Sequence, residues 1–125
     1  MHHSRQLLLR LLREMAVFAS LSSSILWLHR RNWVLLATLS ICLAVVLLQW
    51  HRRSDLVSLI VVASLGSAAE VLFVRFGVWQ YANPSCLGVP VWFPVAFGLA
   101  GLVGQRLSYT VTALWDQVVD ENLTD

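Results

Sequence analysis

A chain of 125 residues that is 58% hydrophobic and only 13% charged is too apolar for a water-soluble domain of its size, and its mean hydropathy of +0.68 points to a single integral membrane domain. All nine basic residues are arginines, set against seven acids for a formal charge of +2, an excess too small for the electrostatic footprint of a nucleic-acid binder. Cys42 lies inside an apolar run and Cys86 in a turn, with no metal-ligand or CxxC spacing, which argues against a redox centre or a structural disulfide.

The expected architecture is all-α: one domain over 1–125, a bundle of four transmembrane helices at about 7–28, 32–50, 55–77 and 91–113, and a polar tail over 116–125. Arg10 and Arg13 ahead of an apolar run imitate a signal peptide, but the segment is read as part of the mature chain. The uninterrupted apolar part, Met15 to Leu28, covers only about 21 Å as a helix, short of a hydrocarbon core of roughly 30 Å. Arg10 and Arg13 must therefore snorkel to the headgroups, or the first turns lie in the interface; a span with an interfacial start is expected. Asn32 to Trp50 carries no charge and has Trp near both ends, as an interfacial anchor requires. The flanking His29-Arg30-Arg31 and His51-Arg52-Arg53 read as basic stops at phosphate level.

The third run, Asp55 to Trp79, contains Glu70, on one helical face with Ala63, Gly66 and Ser67. Small residues there let another backbone approach, so Glu70 is expected to face protein rather than lipid. Asn83-Pro84 and Gly88-Val89-Pro90 punctuate the turn that follows. Pro94, four residues after Pro90, places the start of the fourth helix near Phe93 or kinks its first turn. Beyond it, Ala96, Ala100, Gly104 and Ser108 recur every four residues, a small-residue stripe that fits either the third helix or another molecule.

With four spans, Arg5, Arg10, Arg13, Arg52, Arg53 and Arg106 collect at the amino end's side against Arg30, Arg31 and Arg75 on the other, which places the amino terminus in the cytoplasm. The localisation expected is a bacterial inner membrane.

Glu70 reads as the only acid well inside an apolar run, where an ionised carboxylate is costly unless partnered. Two roles compete: a buried acid that fixes two helices and the Gln80-Tyr81-Asn83 turn, or a catalytic or ligand-binding group. Arg75, about 140° further around the helix, is a poor partner for it and is expected to snorkel. Trp27, Trp33, Trp50, Trp79, Trp92 and Trp115 all fall at expected span ends, as an aromatic belt does. Glu70, Trp79, Tyr81, Asn83, Trp92 and Phe93 bracket one turn, where a flat apolar ligand such as a lipid, carotenoid, sterol or quinone would sit. His2, His3, His29 and His51 are read as interfacial polar groups; no metal is expected.

Val78-Trp79-Gln80-Tyr81-Ala82-Asn83-Pro84, then Val91-Trp92-Phe93-Pro94, Phe97 and Gln105-Arg106-Leu107, is similar to the last loop and helix of the insulin-induced (Insig) membrane proteins. The order Glu70, Tyr81, Gly88-Val89-Pro90 also resembles carotenoid hydratase-like membrane proteins, and small bacterial multi-span membrane proteins share such patterns. The likeness covers about residues 70–107, and where the Insig pattern has an acid after the turn proline this chain has Ser85. What the resemblance implies is lipid-facing binding of a partner membrane protein.

Two functions from different classes follow. One is a small non-enzymatic accessory or scaffold subunit, packing against a larger membrane complex or as a homo-oligomer, with membrane lipid or an isoprenoid between. The alternative is a membrane enzyme acting on an isoprenoid or lipid, with Glu70 as general acid and Tyr81 or Asn83 orienting the substrate. A channel is a weaker third, because four helices with one acid enclose little polar pathway.

Overall fold

The computed structural model describes residues 2–124, whose regular elements are four helices: α1 (His2–Leu28), α2 (Asn32–Gln49), α3 (Arg53–Arg75) and α4 (Phe93–Thr124). Short turns join α1 to α2 and α2 to α3, so these helices run antiparallel in sequence. The one long connection, residues 76–92, links α3 to α4.

α1, α2 and α3 are long and apolar enough to cross a membrane. Their exposed surfaces say the same: Leu26, Ile41, Leu48, Ile60 and Leu65 all face outward, which a bilayer tolerates and water does not. α4, expected as a fourth span over 91–113, does not meet that description. At 32 residues it is about 48 Å long, but Gln105 and Arg106 fall in its middle. α4 is the hub: it packs against each of the other three helices, whereas α3, among the described helices, packs on α4 alone.

The core lies where α4 meets α1 and α2. Leu35 and Leu39 of α2 interlock with Leu99, Leu102 and Val103 of α4, all fully buried, and Leu21 of α1 closes the group. On its other side α4 meets α3 through missing side chains. The Phe97 ring lies directly on the backbone of Gly66; Gly98 faces Leu59 and Ala63; and a Cβ added at Gly101 would fall 2.6 Å from the Val62 Cβ. Close backbone approach also lets Ser58 Oγ donate to the Gly101 carbonyl at 3.2 Å.

Ala63 and Gly66 thus face α4 as the sequence predicts, and Ser67 is half-buried beside them. The stripe on α4 does not face α3 as a unit. At 100° per residue, a repeat of four turns about 40° at each step. Ala96 is accordingly buried in the α1–α2 core, Ala100 is half-buried, and Gly104 and Ser108 have rotated to the outside, with open space over Gly104. The residues that actually meet α3 are Phe97, Gly98 and Gly101.

The ends of α4 bear on two further expectations, a start near Phe93 or a kinked first turn, and a polar tail from residue 116. α4 starts at Phe93, with the Ala96 N–H donating to the Trp92 carbonyl, so Pro94 sits in the first turn where no donor is lost. At the other end the tail expected over 116–125 remains helical to Thr124, because Leu107 to Thr124 contains no glycine or proline to stop it; Asp125 lies outside the described residues.

Candidate functional site

The loop 76–92 is held by Glu70 from one side. Glu70 lies near the carboxyl end of α3, is buried, and uses one oxygen, Oε1, to accept both the Trp79 indole N–H at 2.6 Å and the Tyr81 hydroxyl. A buried carboxylate is costly without partners, and these two donors come from the loop itself. Burial first, and the Glu70 carboxylate second, push the Tyr81 phenol above the ordinary tyrosine range. Trp79 is braced by Phe73, 5.1 Å between ring centroids.

From the other side the loop is held by Asn32, the first residue of α2. Its amide nitrogen donates to the Asn83 carbonyl and to Ser85 Oγ, each at 2.7 Å, and its oxygen accepts the Trp92 indole N–H at 3.1 Å. Asn83 in turn donates to the Arg30 carbonyl at 3.0 Å. The tip is a tight turn, Cys86 to Val89, with Leu87 and Gly88 both at positive φ, the two-residue pattern of a type I′ turn. Gly88 is required there twice over, since a Cβ would also lie 2.6 Å from Val74 of α3.

All six residues expected to bracket a ligand therefore come together, but against one another. Glu70 holds Trp79 and Tyr81; Asn83 and Trp92 are tied to Asn32; Phe93 stacks on Phe97 at 5.1 Å and meets the edge of Tyr81 at 6.2 Å. The arrangement is a clamp on a loop, in which the acid acts as an acceptor.

The tryptophan belt is only partly a belt. Trp27, Trp33 and Trp115 are well exposed, whereas Trp92 is buried on Asn32 and Trp50 is buried beneath Arg106. Arg75, the expected snorkelling residue, is exposed.

At the opposite end of the bundle lies a polar cluster that the linear sequence does not single out. Arg106 of α4 makes a two-pronged ion pair with Asp55 of α3, Nε to Oδ1 at 3.0 Å and Nη2 to Oδ2 at 2.6 Å, with its guanidinium 4.7 Å above the Trp50 ring. Asp55 also accepts the Arg52 backbone N–H at 3.0 Å, so one carboxylate caps α3 and neutralises the charge inside α4.

Beside it Glu14 of α1 is 3% exposed, with the Thr110 hydroxyl donating to Oε1 at 2.9 Å and Oε2 buried without a partner in the chain. Glu70 is thus one of three buried acids among the described residues, with Asp55 and with Glu14, which stands just before the apolar run of α1. Among the described residues Leu7, Glu14 and Leu21, seven apart, are the buried positions of α1, a row that the leucines on every face of that helix hide in the sequence. Asn32 offered no local signal either, since its three partners lie 51 to 60 residues away.

No protein-family model, curated protein or solved structure matches this chain.

Proposed function

We propose that this protein is a non-enzymatic accessory or scaffold subunit of a membrane, with α4 crossing the bilayer beside α1, α2 and α3 and the amino terminus in the cytoplasm of a bacterial cell. Its clamped loop docks on a larger membrane protein or on a second copy of the chain, with lipid or an isoprenoid filling the seam.

One observation carries this reading: the Glu70 carboxylate is committed to Trp79 and Tyr81. A general acid must offer its proton to a substrate, whereas an oxygen that already accepts two donors from its own loop fixes that loop in place. The fixed loop then presents Phe76, Val78 and Leu87, 80%, 58% and 74% exposed, beyond the carboxyl end of α3. Apolar side chains held outward on a rigid turn at the end of a bundle favour a protein or lipid contact. Gly104 and Ser108 supply a second face that backbone of another helix can approach.

The test is the assembly state of the full chain in a gentle neutral detergent, read by native mass spectrometry. Wild-type protein is expected to appear bound to a second copy or a membrane partner. Val78→Glu with Leu87→Glu is expected to release a monomer that melts at the wild-type temperature. A wild-type chain that is strictly monomeric, with no co-purifying membrane protein, overturns the reading.

A further inference from the structure

The cluster around Glu14 and Arg106 encloses a cavity of about 270 Å³ at the end of the bundle opposite the clamped loop. That is close to the roughly 300 Å³ at which small-molecule sites begin, enough for a headgroup though not for a whole lipid. Its charged wall is drawn from three places: Arg10, Arg13 and Glu14 on α1, Arg52 and Asp55 at the start of α3, and Arg106 on α4.

Pairing decides what charge that wall presents. Arg106 and Asp55 cancel one another in their two-pronged ion pair. Glu14 is buried and turns one oxygen to Thr110. Arg10, Arg13 and Arg52 are all exposed. The surplus is three cations against one acid, or +2, and the acid is the member held away from solvent. Ser54 and Tyr109, also on the wall, add hydroxyl donors.

The depth of the cavity narrows the ligand further. The uncharged run of α1 begins at Met15, immediately after Glu14, and that of α2 ends at Trp50, immediately before His51-Arg52-Arg53. Both runs stop at the cavity, which therefore opens at the level of lipid headgroups.

We infer that this cavity binds the phosphate of an anionic amphiphile, and specifically a phosphomonoester. A phosphomonoester carries close to two negative charges at neutral pH, about −1.5 to −2, which matches the surplus, whereas a phosphodiester carries one. Arginine is suited to the task because its planar fork meets two phosphate oxygens at once. The Arg106–Asp55 pair on Trp50 forms the floor, and the exposed forks of Arg10, Arg13 and Arg52 meet the phosphate. The chain of the amphiphile leaves along the apolar flank of the bundle. This site is independent of how the loop clamp at the other end is used.

The experiment uses the full chain in neutral detergent, titrated by native mass spectrometry with phosphatidic acid, phosphatidylglycerol and phosphatidylcholine, and separately with inorganic phosphate by thermal shift. Phosphatidic acid is expected to be retained about tenfold more tightly than the other two lipids, the scale of one charge-assisted contact. Arg10→Ala with Arg13→Ala is expected to remove that preference. Arg30→Ala with Arg31→Ala, which takes the same two charges from the shallow groove at the opposite end, is expected to leave it intact. Stabilisation by inorganic phosphate that also depends on Arg10 and Arg13 supports the phosphate chemistry; found without retention of phosphatidic acid, it identifies a soluble ester in place of an amphiphile. The inference fails if phosphatidic acid and phosphatidylglycerol bind alike, if the two double variants behave alike, or if neither probe binds.

Discussion

The side-chain amide of Asn32 donates to the backbone carbonyl of Asn83 at 2.7 Å, joining two hairpins that lie 51 residues apart in sequence. Because Asn32 also holds Ser85 and Trp92, one side chain at the start of α2 ties the α1–α2 turn to the entry of α4. Together with Glu70 it fixes the long loop at two points on different helices.

Asn32→Ala removes three hydrogen bonds at once. With a net worth of about 1 kcal/mol each and shared reorganisation, the expected loss is about 2 kcal/mol. Amide hydrogen exchange should quicken across residues 77–92 and leave Leu35 and Leu39 protected. Unchanged exchange in the loop would show that Glu70 alone holds it.

Tyr81 supplies a prediction in pH. A phenol whose folded pKa lies above its unfolded value of about 10 stabilises the fold fully below that value. The contribution is lost as pH climbs through the raised folded value. Since the chain has two tyrosines, Tyr109→Phe leaves Tyr81 as the single reporter. Its tyrosinate absorbance is expected to rise with a midpoint above 10, the direction set by burial and Glu70. Adding Glu70→Gln should lower that midpoint part of the way, burial remaining. A midpoint at the ordinary value in the folded chain would mean that the clamp is not formed.

Asp55 and Arg106 form an enclosed ion pair between α3 and α4, at 4% and 19% side-chain exposure. Asp55→Asn is expected to cost about 3 kcal/mol, the lower end for breaking a buried pair, because it strands a guanidinium inside α4. Replacing both residues by leucine should restore part of the stability. A double-mutant cycle in detergent that gives no coupling would show the pair to be worth no more than a surface contact.

The α3–α4 contact can be separated from the rest of the glycine pattern. Gly101→Val meets Val62 and is expected to destabilise by about 1–3 kcal/mol through overpacking, whereas Gly104→Val enters open space and should be tolerated. Equal melting temperatures for the two variants would place α3 against a different face of α4.

Read alone, the sequence located four helices, counted all four as membrane spans where three have the length and apolarity for it, put the start of α4 near Phe93, and turned Ala63 and Gly66 towards another helix. These are readable because hydropathy, proline and glycine act within a few residues of themselves. Tertiary structure decided that α4 is the hub, that Glu14 is buried, that Trp50 and Trp92 leave the interface for the interior, and that Gly104 and Ser108 point away from α3. The reason is physical. Which face of a helix is buried depends on the neighbours that stand around it, and the bonds Asn32–Asn83, Asp55–Arg106 and Glu14–Thr110 span 51, 51 and 96 residues, distances over which no local pattern carries information.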